Sequence, residues 1–197
     1  ELRGHMERTP NHFPSMLYAC AFSNNGKFLA TGDKVGHIVL WDLATGKEVT
    51  TLESPGMYTW DGRQRIHSIG GIRSLAFSPD GKQLAVGGIG RIGNIDHLDG
   101  PARIEIFDIA SAKSLHVFDK TKFKGLINRL AYHPQGQWLL GAGGAGNGFL
   151  VFLDVGKKKV IKEENVKFHI HDITLTPNYD TLFLAGHNNL AVYEMKG

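Results

Sequence analysis

The stretch Ile72–Phe118 reads IRSLAFSPDGKQLAVGG, then an intervening segment, then ARIEIFDIASAKSLHVF. Its apolar residues alternate with polar ones in period two, and polar turns close each run. Alternation sends successive side chains to opposite faces of a sheet, so each run reads as a half-buried strand. The first turn, Pro79-Asp80-Gly81-Lys82, has a local mechanism: proline presets φ, aspartate bonds the nearby backbone and glycine accepts positive φ. A fourth strand, Leu115–Phe118, follows the turn Ala110–Lys113. The unit is a small antiparallel meander.

The same unit recurs along the chain. Phe22–Ala30 (FSNNGKFLA), Tyr132–Leu140 (YHPQGQWLL) and, more weakly, Leu175–Phe183 (LTPNYDTLF) repeat the strand-turn-strand pattern. Each copy later ends a strand in a large apolar residue plus an acid: Trp41-Asp42, Phe107-Asp108, Leu153-Asp154 and Tyr193-Glu194. A meander exposes an apolar face that it cannot bury alone, so neighbouring copies must stack on it, and radial stacking gives a propeller. The expected fold is therefore all-β: four-stranded antiparallel blades at about 17–53, 72–119, 126–164 and 168–196, the last lacking its outer strand. Residues 1–5 read as the remnant of an outer strand belonging to another blade. The region 1–197 is taken as one propeller domain.

The residues LAFSPDGKQLAVGG (Leu75–Gly88), GHIVLWDLATGK (Gly36–Lys47) and the pair Gly4-His5 resemble the WD-repeat β-propeller family, in the style of its bacterial members. The resemblance covers nearly the whole chain as a partial array of four degenerate repeats. It implies a Gly-His pair, a turn aspartate and the tryptophan joined by hydrogen bonds inside one blade, with Asp33 near the expected turn. It also implies a ring of about seven blades, whereas four would close tightly. Three closures stay open: a larger ring with further blades, pairing with a second copy, or closure by this chain alone or with a separate polypeptide. The resemblance implies an interaction platform and no catalysis.

Composition sets bounds. The chain of 197 residues can bury one core, and 25 glycines suit many tight turns. No apolar run approaches the roughly 20 residues that span a bilayer. Net charge is +3 and pI about 9.0, too mild to argue for nucleic acid. Glu1 is not a natural start, so the chain reads as cut at its N-terminus, and the compartment is left unknown with the cytoplasm preferred. The lone Cys20 reads as a small buried residue.

The spacing also locates insertions. From the turn glycine to the closing apolar residue is 15 positions for Gly26 to Trp41, but 26 for Gly81 to Phe107. Long segments stand at Met6–Met16, Glu53–Gly71 and Gly87–Ala102, all of classes that share one side of a propeller. Turns of the opposite side stay short. Binding residues concentrate on loops held by a rigid scaffold, so the insertion-bearing side is the expected site. Its candidates for binding a protein or peptide are His12, Phe13, Met57, Tyr58, Trp60, Arg63, Arg65, His67, Arg91 and His97, since aromatics and arginines anchor interfaces. Trp60-Asp61 is read as a false repeat ending, because no strand alternation leads into it.

Other signals weigh less. Gly88-x-Gly90-x-x-Gly93 and Gly141-x-Gly143-x-x-Gly146 match a dinucleotide fingerprint, but strands and not helices follow them, so they are read as flexible loops. His169-x-His171 offers two imidazoles without a third ligand. Asp96, His97 and Asp99 lack a nucleophile in any motif context, and Lys157-Lys158-Lys159 reads as a solvated turn. No catalytic residue, metal or cofactor is expected. The alternative reading is a small-molecule or metal site in a central channel, as part of an enzyme.

Overall fold

The computed structural model describes residues 1–195; Lys196, where the sequence reading ends the fourth unit, lies outside them. Each meander forms its own antiparallel sheet. The first holds β1 (Leu17–Phe22), β2 (Phe28–Asp33), β3 (His37–Asp42) and β4 (Lys47–Glu53) in sequential order. A 3-10 turn at Pro55–Met57 then leads into a two-stranded hairpin, β5 (Tyr58–Asp61) with β6 (His67–Gly70). The second sheet holds β7 (Ile72–Phe77), β8 (Gln83–Ile89), β9 (Ala102–Asp108) and β10 (Lys113–Phe118). The third holds β11 (Leu126–Tyr132), β12 (Leu139–Gly144), β13 (Gly148–Asp154) and β14 (Lys159–Val166), and the fourth β15 (Ile170–Leu175), β16 (Thr181–Gly186) and β17 (Asn189–Glu194). The fold is all-β, built of propeller blades, and among the described residues the sheets do not close into a ring.

The alternation read from the sequence decides what lies between blades. Ala30, Ile38, Leu40 and Leu52 of the first sheet meet Ile72, Leu75, Phe77 and Leu84 of the second in one apolar layer. Ile104 and Ile106 meet Ile127, Phe149 and Val151 in the next. Leu140, Leu150 and Phe152 meet Ile170, Leu182 and Leu184 in the third. The first strands of successive sheets, β1, β7, β11 and β15, are neighbours, which sets the sheets side by side with their first strands innermost. The opposite flanks of the first and fourth sheets carry exposed apolar side chains, among them Phe22 (63 %) and Leu190 (71 %). Cys20 stands on the same strand as Phe22 and is exposed, contrary to the burial expected of it; among the described residues no further sheet covers that flank.

The hydrogen-bonded set implied by the resemblance is present in the first blade. Trp41 Nε1–H donates to Thr31 Oγ1 (2.9 Å), Thr31 Oγ1 and His5 Nε2 lie 2.8 Å apart, and His5 Nδ1 lies 3.1 Å from Asp33 Oδ2. One tautomer satisfies the whole chain: His5 donates from Nδ1 to the carboxylate and accepts from the threonine hydroxyl at Nε2. Asp33 Oδ1 also accepts the backbone N–H groups of Val35 and His37, both at 2.9 Å, and so closes the β2–β3 turn. Gly4 is needed beside His5 because a Cβ there would stand 2.6 Å from the Trp41 ring.

The two glycine-rich fingerprints differ: Gly88–Gly93 leaves β8 after Ile89 and is mostly loop, as read from the sequence, whereas Gly141–Gly146 is mostly strand. Gly88 lies in β8, and Gly141 and Gly143 in β12. Their role is close approach: a Cβ on Gly143 would lie 1.8 Å from the carbonyl oxygen of Leu126 in the paired strand.

Candidate functional site

The three insertions meet on one side of the array. Met6–Met16 folds back on itself, with Thr9 N–H donating to Phe13 O (2.7 Å) and a bridge between Arg8 and Pro14. Glu53–Gly71, read from sequence as a loop, is mostly hairpin: Tyr58, Thr59, Trp60 and Asp61 pair with Gly70, Ile69, Ser68 and His67. Trp60-Asp61 does lie outside the blades, but it belongs to a strand. The hairpin tip is held by Asp61 Oδ1, which accepts the N–H groups of Arg63 (2.9 Å) and Gln64 (3.1 Å). Those bonds, that from Arg63 foremost, hold the Asp61 carboxyl below its usual range.

Cross-links between insertions come from residues far apart in sequence. Tyr58 O–H donates to Asn11 Oδ1 at 2.8 Å, and the Phe13 and Trp60 rings pack at 5.4 Å. Thr59 Oγ1 accepts the Ile92 N–H at 3.1 Å, and Arg65 pairs with Asp96. Beneath them Ile89, Ile92 and Leu126 form a small apolar cluster with Ile69 and Leu98 against it. The layer is tied to the blades by Ser54, whose hydroxyl donates to buried Glu105 Oε2 at 2.6 Å.

Most of the sequence candidates lie in this layer. Phe13, Tyr58, Trp60 and Arg65 contact another insertion, as above. His12, at the tip of the first insertion, adopts φ 68°, and Arg63, His67, Arg91 and His97 are exposed. Met57 is the exception: it was expected at the surface and is 1 % exposed, because the 3-10 turn points it into the layer between the first two blades. Asn11, Thr59 and Asp96 take part in the cross-links without having been singled out for them. No short-range sequence pattern marks them, since their partners are 31 to 47 residues away.

A second cluster sits where the third and fourth blades join. The rings of His169, His171 and His187 lie 4.7 to 5.3 Å apart. Sequence reasoning found the first two and missed His187, which the β16–β17 turn brings across. His169 has both nitrogens engaged, Nε2 with Asn128 Nδ2 (2.7 Å) and Nδ1 with the Ala145 carbonyl (3.0 Å). Burial pushes its pKa down, and the neighbouring histidines add to that. Among the described residues no group of three His, Cys, Asp or Glu is placed to hold a metal ion.

Elsewhere several acids are committed to turns. Asp42, Asp108 and Asp154, the acids of the repeated strand endings, each accept a backbone N–H three residues on, at 2.8 to 2.9 Å. Among the described residues no helix is long and apolar enough to cross a membrane. Compared with known families, the chain matches the family model for the WD domain, G-beta repeat, over residues 2–42 and 63–91. The first match runs from just before Gly4-His5 through Trp41-Asp42, and so contains the whole hydrogen-bonded set of the first blade.

Proposed function

Because this chain belongs to the WD-repeat family, whose repeats generally mediate protein–protein interaction, we propose that it is a non-catalytic scaffold that binds a protein or peptide through its insertion-bearing side. The observation that carries this reading is the convergence of three separate insertions into one cross-linked layer. Short turns that serve only to close strands need none of it. A layer that places Phe13, Tyr58, Trp60 and several arginines together on a rigid support offers the residue types that dominate interface energetics. Its pre-ordering by hydrogen bonds and the Arg65–Asp96 pair lowers the entropy cost of binding.

The test is partner capture from extract with Tyr58→Ala and Trp60→Ala, set against Lys47→Ala and Lys157→Ala on the short-turn side. Loss confined to the first pair, with melting temperature close to that of the parent, supports the reading. Equal capture by all four variants, or loss confined to the lysine variants, refutes it.

A further inference from the structure

Resting on the scaffold reading, we infer that the recess between the β5–β6 hairpin and the segment after β8 receives an acidic peptide of the partner protein. The recess has a volume of about 380 Å³. Its walls come from two insertions: Trp60, Arg63 and Gln64 from one, Arg91, Ile92 and Ile95 from the other.

Charge is what gives this recess a chemical preference. Three arginines lie on these two insertions. Arg65 is neutralised by Asp96, an ion pair that also fixes the hairpin against the opposite wall. Arg63 and Arg91 have no acidic partner among the described residues, and both are exposed. The one carboxylate of the lining, Asp61, has Oδ1 occupied by the Arg63 and Gln64 N–H groups. Trp60 Nε1–H also has no acceptor among the described residues, and a Cβ on Gly62 would stand 2.9 Å from it, so the tip backbone runs beside a spare donor. The recess therefore presents two guanidinium forks, an indole N–H and the amide group of Gln64 against one carboxylate, Asp61, whose Oδ1 is already engaged. A guanidinium matches a carboxylate in plane and in donor spacing. The indole of Trp60 and the side chains of Ile92 and Ile95 supply apolar walls that suit a side chain next to the acid. That combination fits a carboxylate-bearing peptide better than a bare ion.

The probe is a dye-labelled short polyglutamate peptide, titrated by fluorescence anisotropy at about 50 mM and about 200 mM salt. Binding should weaken at the higher salt as exposed charges are screened. Arg63→Ala and Arg91→Ala should each weaken it roughly tenfold, the size of one charge-assisted hydrogen-bonded contact. The control is Lys158→Ala with Lys167→Ala, which removes two positive charges elsewhere and should leave the affinity within twofold. An equal loss in that control would mean general attraction by net charge and would overturn the inference. So would no measurable peptide binding, or tighter binding of duplex DNA or phosphatidylserine vesicles that is lost with the same arginines. The outcomes separate the two proposals. If polyglutamate fails while Tyr58→Ala still abolishes partner capture, the binding side stands and its acidic specificity falls. If both fail, the scaffold reading falls with it.

Discussion

The two ends of the blades are built on different principles. At the short-turn end each turn is closed by its own residues. Ser78 Oγ donates to Asp80 Oδ1 (2.6 Å) and accepts the Gln83 N–H (2.9 Å); Ser23 and Asn25 repeat this in the first blade with Phe28. At the insertion end the contacts join residues 31 to 51 apart: Ser54 with Glu105, Tyr58 with Asn11, Arg65 with Asp96. Local closure can be copied from repeat to repeat, and it is. Long-range closure is made once, from residues that no repeat dictates, and that is where a particular function can be placed without disturbing the array.

The largest expected difference between the ends lies at Glu105. This buried carboxylate accepts from Ser54 and Ser114, both at 2.6 Å, and pairs with Arg103, which also reaches Asp119. Glu105→Ala would leave Arg103 half-paired and Ser54 without its acceptor. Removing one partner of a buried ion pair costs about 3–5 kcal/mol. Denaturant unfolding should show a loss in that range, and Glu105→Gln should retain part of it. A loss below about 1 kcal/mol would mean that the insertion layer is not anchored through this residue.

Acidification should strike the short-turn end and the third joint at different pH. Asp42, Asp80, Asp108, Asp154 and Asp180 are all held below the usual carboxylate value near 3.8 by turn hydrogen bonds. The folded chain thus binds fewer protons than the unfolded one as pH falls. Their stabilisation is whole above about pH 5 and drains away through pH 4 and below. His169 is also depressed, from about 6.5, by burial. A histidine whose folded pKa is lowered loses its contribution as pH falls past the unfolded value. Melting temperature measured from pH 8 to pH 3 should therefore fall in two stages, near 6 and below 4. His169→Gln should remove the first stage only. A single acid transition in the parent chain would contradict the assignment.

How much of this could be read in the sequence follows from the same contrast. The blade strands and their turns were legible because alternation and the Pro-Asp-Gly-Lys turn are short-range signals. The first blade's polar set was harder, since His5 and Asp33 are 28 residues apart and only the resemblance linked them. The hairpin at Tyr58–Gly70 was not legible: its strands are four residues each, and its tip lies in a polar run with no Asn-Gly or Asp-Gly pair centred on a two-residue turn. Met57 was misplaced because a methionine in a Pro-Gly-Met segment carries no periodicity to orient it. Cys20 was misplaced for the opposite reason: the period was right, but the flank it faces is uncovered.

A smaller effect tests whether the insertions act as one layer. Tyr58→Phe removes a hydrogen bond to Asn11 and should cost about 0.5–1.5 kcal/mol, the net value of such a bond. Asn11→Ala should cost a similar amount, and the double variant should be less destabilised than the two single losses combined, because both remove the same bond. At the short-turn end Asp42→Ala and Asp108→Ala close turns of different blades through separate bonds, so their effects should combine without coupling. Strong coupling there, or none at Tyr58–Asn11, would erase the distinction between the ends.

The smallest effect concerns the short turn of the fourth blade, which closes on its own residues like the others but also sets a ring against the third blade. Tyr179 occupies the position held by Gly26, Gly81 and Gly136 in the other blades, with φ 60°. A left-handed conformation costs a non-glycine residue about 1–2 kcal/mol. The tyrosine ring, however, packs 5.5 Å from His133 and 6.3 Å from Trp138 of the third blade. Aromatic pairs of this kind are worth about 0.5–1.5 kcal/mol beyond their buried area. Tyr179→Gly relieves the strain and forfeits the contacts, so the net change should lie within about 1 kcal/mol of zero, with no sign favoured by the arithmetic. Tyr179→Ala keeps most of the strain and loses the ring, and should be less stable than Tyr179→Gly. If the alanine variant melts higher, the turn is not strained at this residue.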